Sequence, residues 1–175
     1  MAWSTSLGSS WCRWVLNELN RLPPEEARQR LYACFASERW ARMVAERRPY
    51  ADLDALFVAA ERAWSELEPG DWSEAVAGHP RIGEGGGSSP AASEREQSGV
   101  RTADDEVLVQ LAEENSRYEA RFGHVFLIAA AGRDADEILA AMRKRMGNDP
   151  VTEAQAAAAE HRKIARLRLV AAFQS

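Results

Sequence analysis

The sequence predicts an all-α chain, a single-domain helical bundle of about seven to nine helices that carries one irregular segment. Three observations lead there. Apolar residues recur at three- and four-residue spacing on both sides of residues 79–99, which is the helical period. Proline and glycine fall between these stripes rather than within them, as helix punctuation requires. The 175 residues are enough for one domain with a real core, so a single unit over 1–175 is the better expectation than two.

The stripes can be taken in order. Residues 1–10 are polar and expected to fray. Residues 11–19 form a short helix with Trp11, Trp14, Val15 and Leu19 on one side. Pro23-Pro24-Glu25-Glu26 opens the next, because proline fits a first turn and acids suit its positive end; Leu31, Cys34 and Phe35 form its apolar face. Ser37 caps a third helix carrying Trp40, Met43 and Val44, which Pro49 ends. Residues 52–67 continue through Leu53, Leu56, Phe57, Ala60 and Trp64 until Pro69-Gly70. Residues 71–77 allow one or two more turns.

From Gly83 to Ala92 the chain reads as a flexible loop, glycine costing a helix about 1 kcal/mol per residue. Order returns near Ser93. Thr102 is the expected cap of a helix with Leu108, Leu111, Asn115, Tyr118 and Phe122 in one stripe, stopped by Gly123. Residues 125–132 are continuously apolar and bounded by glycine, a buried extended segment or strand. Residues 134–146 are a helix with Ile138, Leu139, Met142 and Met146 inside and Arg143, Lys144 and Arg145 at its negative end. Thr152-Glu153-Ala154-Gln155 reads as a capping box, opening a last helix with Ile164, Leu167 and Val170 as its inner face.

Composition narrows the function. Twenty-two Lys plus Arg against 27 Asp plus Glu give a net charge of -5, which argues against nucleic-acid binding. No apolar run reaches the roughly 18 to 20 residues of a membrane span. The amino terminus has no signal-peptide pattern, so a cytoplasmic protein is expected. Cys12 and Cys34 have no Cys or His at ligand spacing, so no metal site is expected and both read as buried thiols. All six tryptophans lie in the first half of the chain, where core duty explains most of them.

The irregular segment gathers chemistry. His79-Pro80-Arg81-Ile82-Gly83-Glu84 and Ser93-Glu94-Arg95-Glu96-Gln97-Ser98-Gly99 place polar groups among Gly, Ala, Ser and Pro, where little can be buried. Of the three histidines, His161 stands beside Arg162 and Lys163 and reads as solvated, and His124 follows a helix end. His79 sits in a stiff turn and is either catalytic or structural. Glu96 is either the third residue of a helix capped by Ser93 or the group that sets the charge and orientation of His79. Asn115 is either a satisfied core amide or part of a site.

A resemblance bears on these alternatives. His79-Pro80-Arg81-Ile82-Gly83, Ser93-x-x-Glu96-Gln97-x-Gly99, Asn115-x-x-Tyr118-Glu119-x-Arg121-Phe122-Gly123-x-x-Phe126-Leu127 and Ile164-Ala165-Arg166-Leu167-Arg168-Leu169 resemble, in order, the signatures of the OHCU decarboxylases. The earlier Cys34, Ser37, Trp40-Ala41 and Arg48-Pro49-Tyr50 also fit, so the likeness covers almost the whole chain. It departs at Gly85-Gly86-Gly87-Ser88-Ser89 and at Ala92.

The resemblance implies an all-helical, cofactor-free and dimeric enzyme without metal. Its reaction would be decarboxylation of 2-oxo-4-hydroxy-4-carboxy-5-ureidoimidazoline to S-allantoin in urate breakdown. It implies that His79 is catalytic with Glu96 as partner. It further implies that Pro80, Ser93, Glu94, Arg95, Gln97, the backbone of Phe126, Leu127, Ile128, Ala129 and Ala130, and Arg168 bind a purine-derived ureide. Urate oxidase and hydroxyisourate hydrolase would be its functional partners. The competing readings are a non-catalytic helical module that binds a ureide or a protein, and a decarboxylase of a related substrate.

Overall fold

The computed structural model describes residues 16–84, 86–100 and 102–173, and every regular element among them is a helix. Residues 16–21 are α1. There follow α2 (Pro24–Phe35), α3 (Glu38–Glu46), α4 (Leu53–Ser65), α5 (Pro69–Ala77), α6 (Pro90–Glu96), α7 (Asp105–Phe122), α8 (Ala135–Arg145) and α9 (Pro150–Phe173). The chain divides into two compact units, residues 1–74 with 165–175, and residues 75–164.

In the first unit the expected cap at Ser37 forms, and Asp52 supplies a second. Ser37 Oγ accepts from Trp40 N at the start of α3, and Asp52 from Ala55 N at 2.8 Å at the start of α4. The last turn of α1 is closed from outside: the Arg48 guanidinium donates to the carbonyls of Leu19 (2.6 Å) and Leu22 (2.9 Å), a cation on orphan carbonyls at a helix's negative end. Leu19, Leu31, Phe35, Trp40 and Leu56 are fully buried, and Cys34 is buried as expected. Phe35 is the hub of an aromatic cluster, with ring centroids 5.2 Å from Trp40, 5.2 Å from Trp64 and 5.6 Å from Trp72. The expectations for Trp11, Trp14, Val15 and Cys12 concern positions outside the described residues.

In the second unit α7 turns the predicted stripe inward: Leu111, Asn115 and Tyr118 are buried, and Gly123 ends the helix in the left-handed region at φ 77°. Ile82, Val100, Phe126, Ile128, Ile138, Leu139 and Met142 complete that core. A capping box of Asp134 and Glu137 opens α8.

Four expectations need correction. Helix α6 begins at Pro90, not at Ser93, because proline is at home in a first turn; Ser93 is inside the helix and buried. Thr102 caps nothing and donates to the Gly99 carbonyl at 3.2 Å, while α7 begins after Asp104. The last helix is opened by Asp149, whose carboxylate accepts from the backbone N–H of Val151 and Thr152, not by a box at Thr152. Leu167 is 44% exposed: the buried face of α9 runs through Ala157, His161, Ile164, Ala165, Arg168, Leu169 and Phe173. Of the two alternatives for the apolar run, the strand does not form: Phe126, Leu127, Ile128 and Ala130 are buried, Val125 and Ala129 half-buried, and none pairs in a strand.

Gly99 shows why that position has no side chain: a Cβ there would lie 2.2 Å from the Arg133 carbonyl oxygen. Gly99→Ala should therefore lower unfolding free energy by about 1–3 kcal/mol, the usual range for overpacking. Gly70→Ala, where a Cβ meets nothing within 4 Å, should leave it unchanged or slightly raised. Urea denaturation followed by far-UV circular dichroism reads both.

Candidate active site

The stretch that carries His79 has no helix to satisfy its backbone, and α6 and α7 supply the missing partners. Arg81 forms a two-point ion pair with Glu119 on α7, Nε to Oε1 at 2.6 Å and Nη2 to Oε2 at 2.8 Å, which holds the guanidinium pKa above its ordinary value. Asn115 Nδ2 donates to the Ile82 carbonyl at 2.9 Å. Gln97 Oε1 accepts from the Gly83 N–H at 2.7 Å. From the other side Ser88 N–H donates to the Gly78 carbonyl at 2.8 Å, and Gly87, at φ 79°, closes against the turn. A Cβ on Gly87 would stand 2.7 Å from both the Gly78 oxygen and Pro80 Cδ.

These bonds leave His79 8% exposed at the edge of a narrow cleft. Pro80 and Ile82 flank it, Ser93 and Glu96 face it from α6 and Gln97 from the cap that follows, and Phe126, Leu127, Ile128 and Ala130 line its apolar side with Ile164. The His79 imidazole does not stand alone. Its Nε2 lies 2.9 Å from Nε2 of His161, the rings meeting edge to face at 86° with centroids 4.6 Å apart. His161 is fully buried, which corrects the expectation of a solvated residue.

The apolar run is held by charges drawn from helices. Arg145 Nη1 donates to the Leu127 carbonyl at 2.7 Å, and its guanidinium lies 4.5 Å from the Phe126 ring centroid. Ala129 N–H donates to the Glu160 carboxylate at 2.9 Å. Arg145 is in turn fixed by Glu153, a fully buried carboxylate that also accepts from Tyr118 Oη and, at 2.7 Å, from Asn148 Nδ2. Burial pushes the Glu153 carboxyl up, but the bonds from Arg145, Tyr118 and Asn148 outweigh it and hold the pKa below the usual value. Burial and that same carboxylate drive the Tyr118 hydroxyl pKa well up, so it remains a donor. Among the described residues nothing bonds the backbone amides of Phe126 and Ile128, two residues that line the cleft.

The expected site residues are thus placed as follows. His79, Pro80, Ser93, Glu96, Gln97, Phe126, Leu127, Ile128 and Ala130 share one cleft. Ala129 turns its N–H to Glu160. Glu94 and Arg95 are exposed and do not line the cleft. Arg168 is buried on α9, in the first unit. Asn115 proves a partner of the His79 stretch. His161, Glu160, Arg145 and Glu153 were missed. Stepping back three residues from Ile164 along its own helical face reaches His161, so a stripe of i, i+3 and i+4 positions through 157, 161, 164 and 168 carried the signal. No cluster of three or more His, Cys, Asp or Glu among the described residues could hold a metal ion, and no helix among them is long and apolar enough to cross a membrane.

A buried imidazole and a carboxylate on a small, mostly apolar cleft with backbone amides along one wall define a helical protein suited to proton chemistry on a small polar molecule. Comparison with known proteins gives the family. The model of the OHCU decarboxylases matches residues 20–170, and the chain belongs to that family. It is 31% identical over 170 residues to the 2-oxo-4-hydroxy-4-carboxy-5-ureidoimidazoline decarboxylase of Haloferax volcanii, covering 92% of this chain and 97% of that one. It is 33% identical over 150 residues, 80% of its length, to the Uric acid degradation bifunctional protein TTL of Arabidopsis thaliana, of which it spans 45%. A crystal structure of OHCU decarboxylase in the presence of (S)-allantoin superposes with a TM-score of 0.73 at 30% identity, over 84% of this chain and 99% of the other.

Glu153 binds its proton more weakly folded than unfolded, so the stabilisation it gives is complete above its ordinary value of about 4.5 and is lost as pH falls through the lower folded value. Glu153→Gln should be less stable than the parent at pH 7, and the gap should narrow as pH drops below about 4.5. Thermal unfolding across that range measures it.

Proposed function

We propose that this protein decarboxylates 2-oxo-4-hydroxy-4-carboxy-5-ureidoimidazoline to S-allantoin without a cofactor, in urate breakdown, with His79 as the catalytic residue and Glu96 as its carboxylate partner. The observation that supports the reading is the shared cleft: His79 and Glu96 face the same volume as the buried wall of Phe126, Leu127, Ile128 and Ala130. That wall can meet the ureido and ring amides of such a substrate through its main chain, and Ser93 and Gln97 lie opposite. Glu94, Arg95 and Arg168 belong to the proposed substrate set on the family's pattern, Arg168 meeting an anionic or carbonyl group.

The chemistry suits a site with no external electron sink. The bond between the ring carbon and the carboxylate breaks, carbon dioxide leaves, and the electron pair delocalises over the adjacent imine-like carbon and nitrogen. The hydroxyl proton is lost to form the new carbonyl, and a proton delivered to one face of the neighbouring ring carbon sets the stereocentre. His79, oriented by Glu96, manages a proton on the hydroxyl or the ring, and the cleft holds the reacting geometry away from bulk water. On the same reading the protein works in the cytoplasm as a homodimer, downstream of urate oxidase and hydroxyisourate hydrolase.

The test generates the substrate in place from urate with those two enzymes and follows the circular dichroism of the allantoin formed. A fast single-sign signal is expected, lost by on the order of 10²-fold or more in His79→Ala, the scale of general acid–base catalysis. A signal no different from the protein-free control would refute the activity. Arg168→Ala should raise the Michaelis constant; unchanged kinetics would remove it from the site.

A further inference from the structure

We infer that His161 is a positioning residue for His79, and that the two imidazoles act as one unit with a single proton between their Nε2 atoms. The inference rests on the decarboxylase reading above and concerns a residue that the reading does not use. At 2.9 Å the Nε2–Nε2 contact is a hydrogen bond, and such a bond needs one ring to donate and the other to accept. Two N–H groups facing each other, or two lone pairs, would repel. Whichever tautomer His161 adopts therefore dictates the tautomer of His79, and with it which His79 nitrogen carries the proton.

The surroundings favour this role over simple core filling. His161 is fully buried on α9, does not line the cleft, and meets His79 edge-on, so it reaches a ligand only through that ring. Its helix neighbour Glu160 is committed to the Ala129 N–H and to Lys163. On the cleft side Glu96 is the carboxylate that faces the pair from α6, and residues 126–130 bring no titratable side chain. His79 is thus set between a carboxylate that shares its cleft and an imidazole behind it. Losing His161 frees the ring to turn, and small errors in the placement of a catalytic group are costly.

The full chain is tested with two variants and one spectrum. His161→Phe keeps the ring and removes the bond; His161→Gln keeps a group that can bond His79. In the coupled assay His161→Phe should lose at least about tenfold in kcat while KM moves less than about threefold, and His161→Gln should recover most of the loss. In the unaltered protein, nitrogen NMR of labelled imidazoles should show a scalar coupling between the two Nε2 nuclei, one protonated and one not. A folded His161→Phe variant with parental kcat would overturn the inference, as would absence of the coupling. So would a glutamine variant that is folded yet no better than phenylalanine. If the phenylalanine variant does not fold, the coupling and the glutamine variant decide. The coupling is read without substrate, so failure of the decarboxylase reading leaves it standing as a separate result.

Discussion

In the second unit two partly buried stretches of chain have no helix or sheet to satisfy their peptide groups, and the unit is arranged around that debt. An unpaired buried amide costs about as much as a lost hydrogen bond. Side chains on the helices, and one at a helix cap, answer it: Gln97 and Asn115 take Gly83 and Ile82, Arg145 takes Leu127, and Glu160 takes Ala129. Each of those side chains is polar or charged and would be out of place on a purely apolar face. Their presence there is explained by the irregular backbone that they hold.

The same bonds connect fold to chemistry. Arg81 and Glu119, with Asn115, fix the turn that aims His79, while Glu153 fixes Arg145 and through it the wall of the cleft. The site is therefore stiff on two sides before any ligand enters, which is the preorganisation that proton chemistry on a small molecule requires.

Helices and their order were legible because period and punctuation are local properties of the chain. The stripe of Leu111, Asn115 and Tyr118 and the stop at Gly123 lie where the spacing put them. The positions that misled were those where one side chain has two local uses. Thr102 and Thr152 both look like caps, yet nearby Asp104 and Asp149 occupy the boundaries. His161 was hidden by its neighbours: Arg162 and Lys163 are exposed, and charge on either side of a helical residue says nothing about a face 100° away. Arg145 was likewise read with Arg143 and Lys144 as one basic end, although its guanidinium is drawn inward by Glu153 and Leu127. The motif carrying His79 and Glu96 was legible, whereas the partners of its backbone are set by long-range packing that no spacing encodes.

The placement of the tryptophans has an optical consequence. All six precede residue 75, so the unit containing the cleft has no indole, and Trp64 and Trp72 lie nearly parallel at 6.4 Å in the other. Indole emission and the near-ultraviolet bands of that stacked pair therefore arise from residues that precede 75. Within 75–164 the aromatic chromophores are Tyr118, Phe122 and Phe126, so a single indole introduced there would be the first tryptophan in that unit.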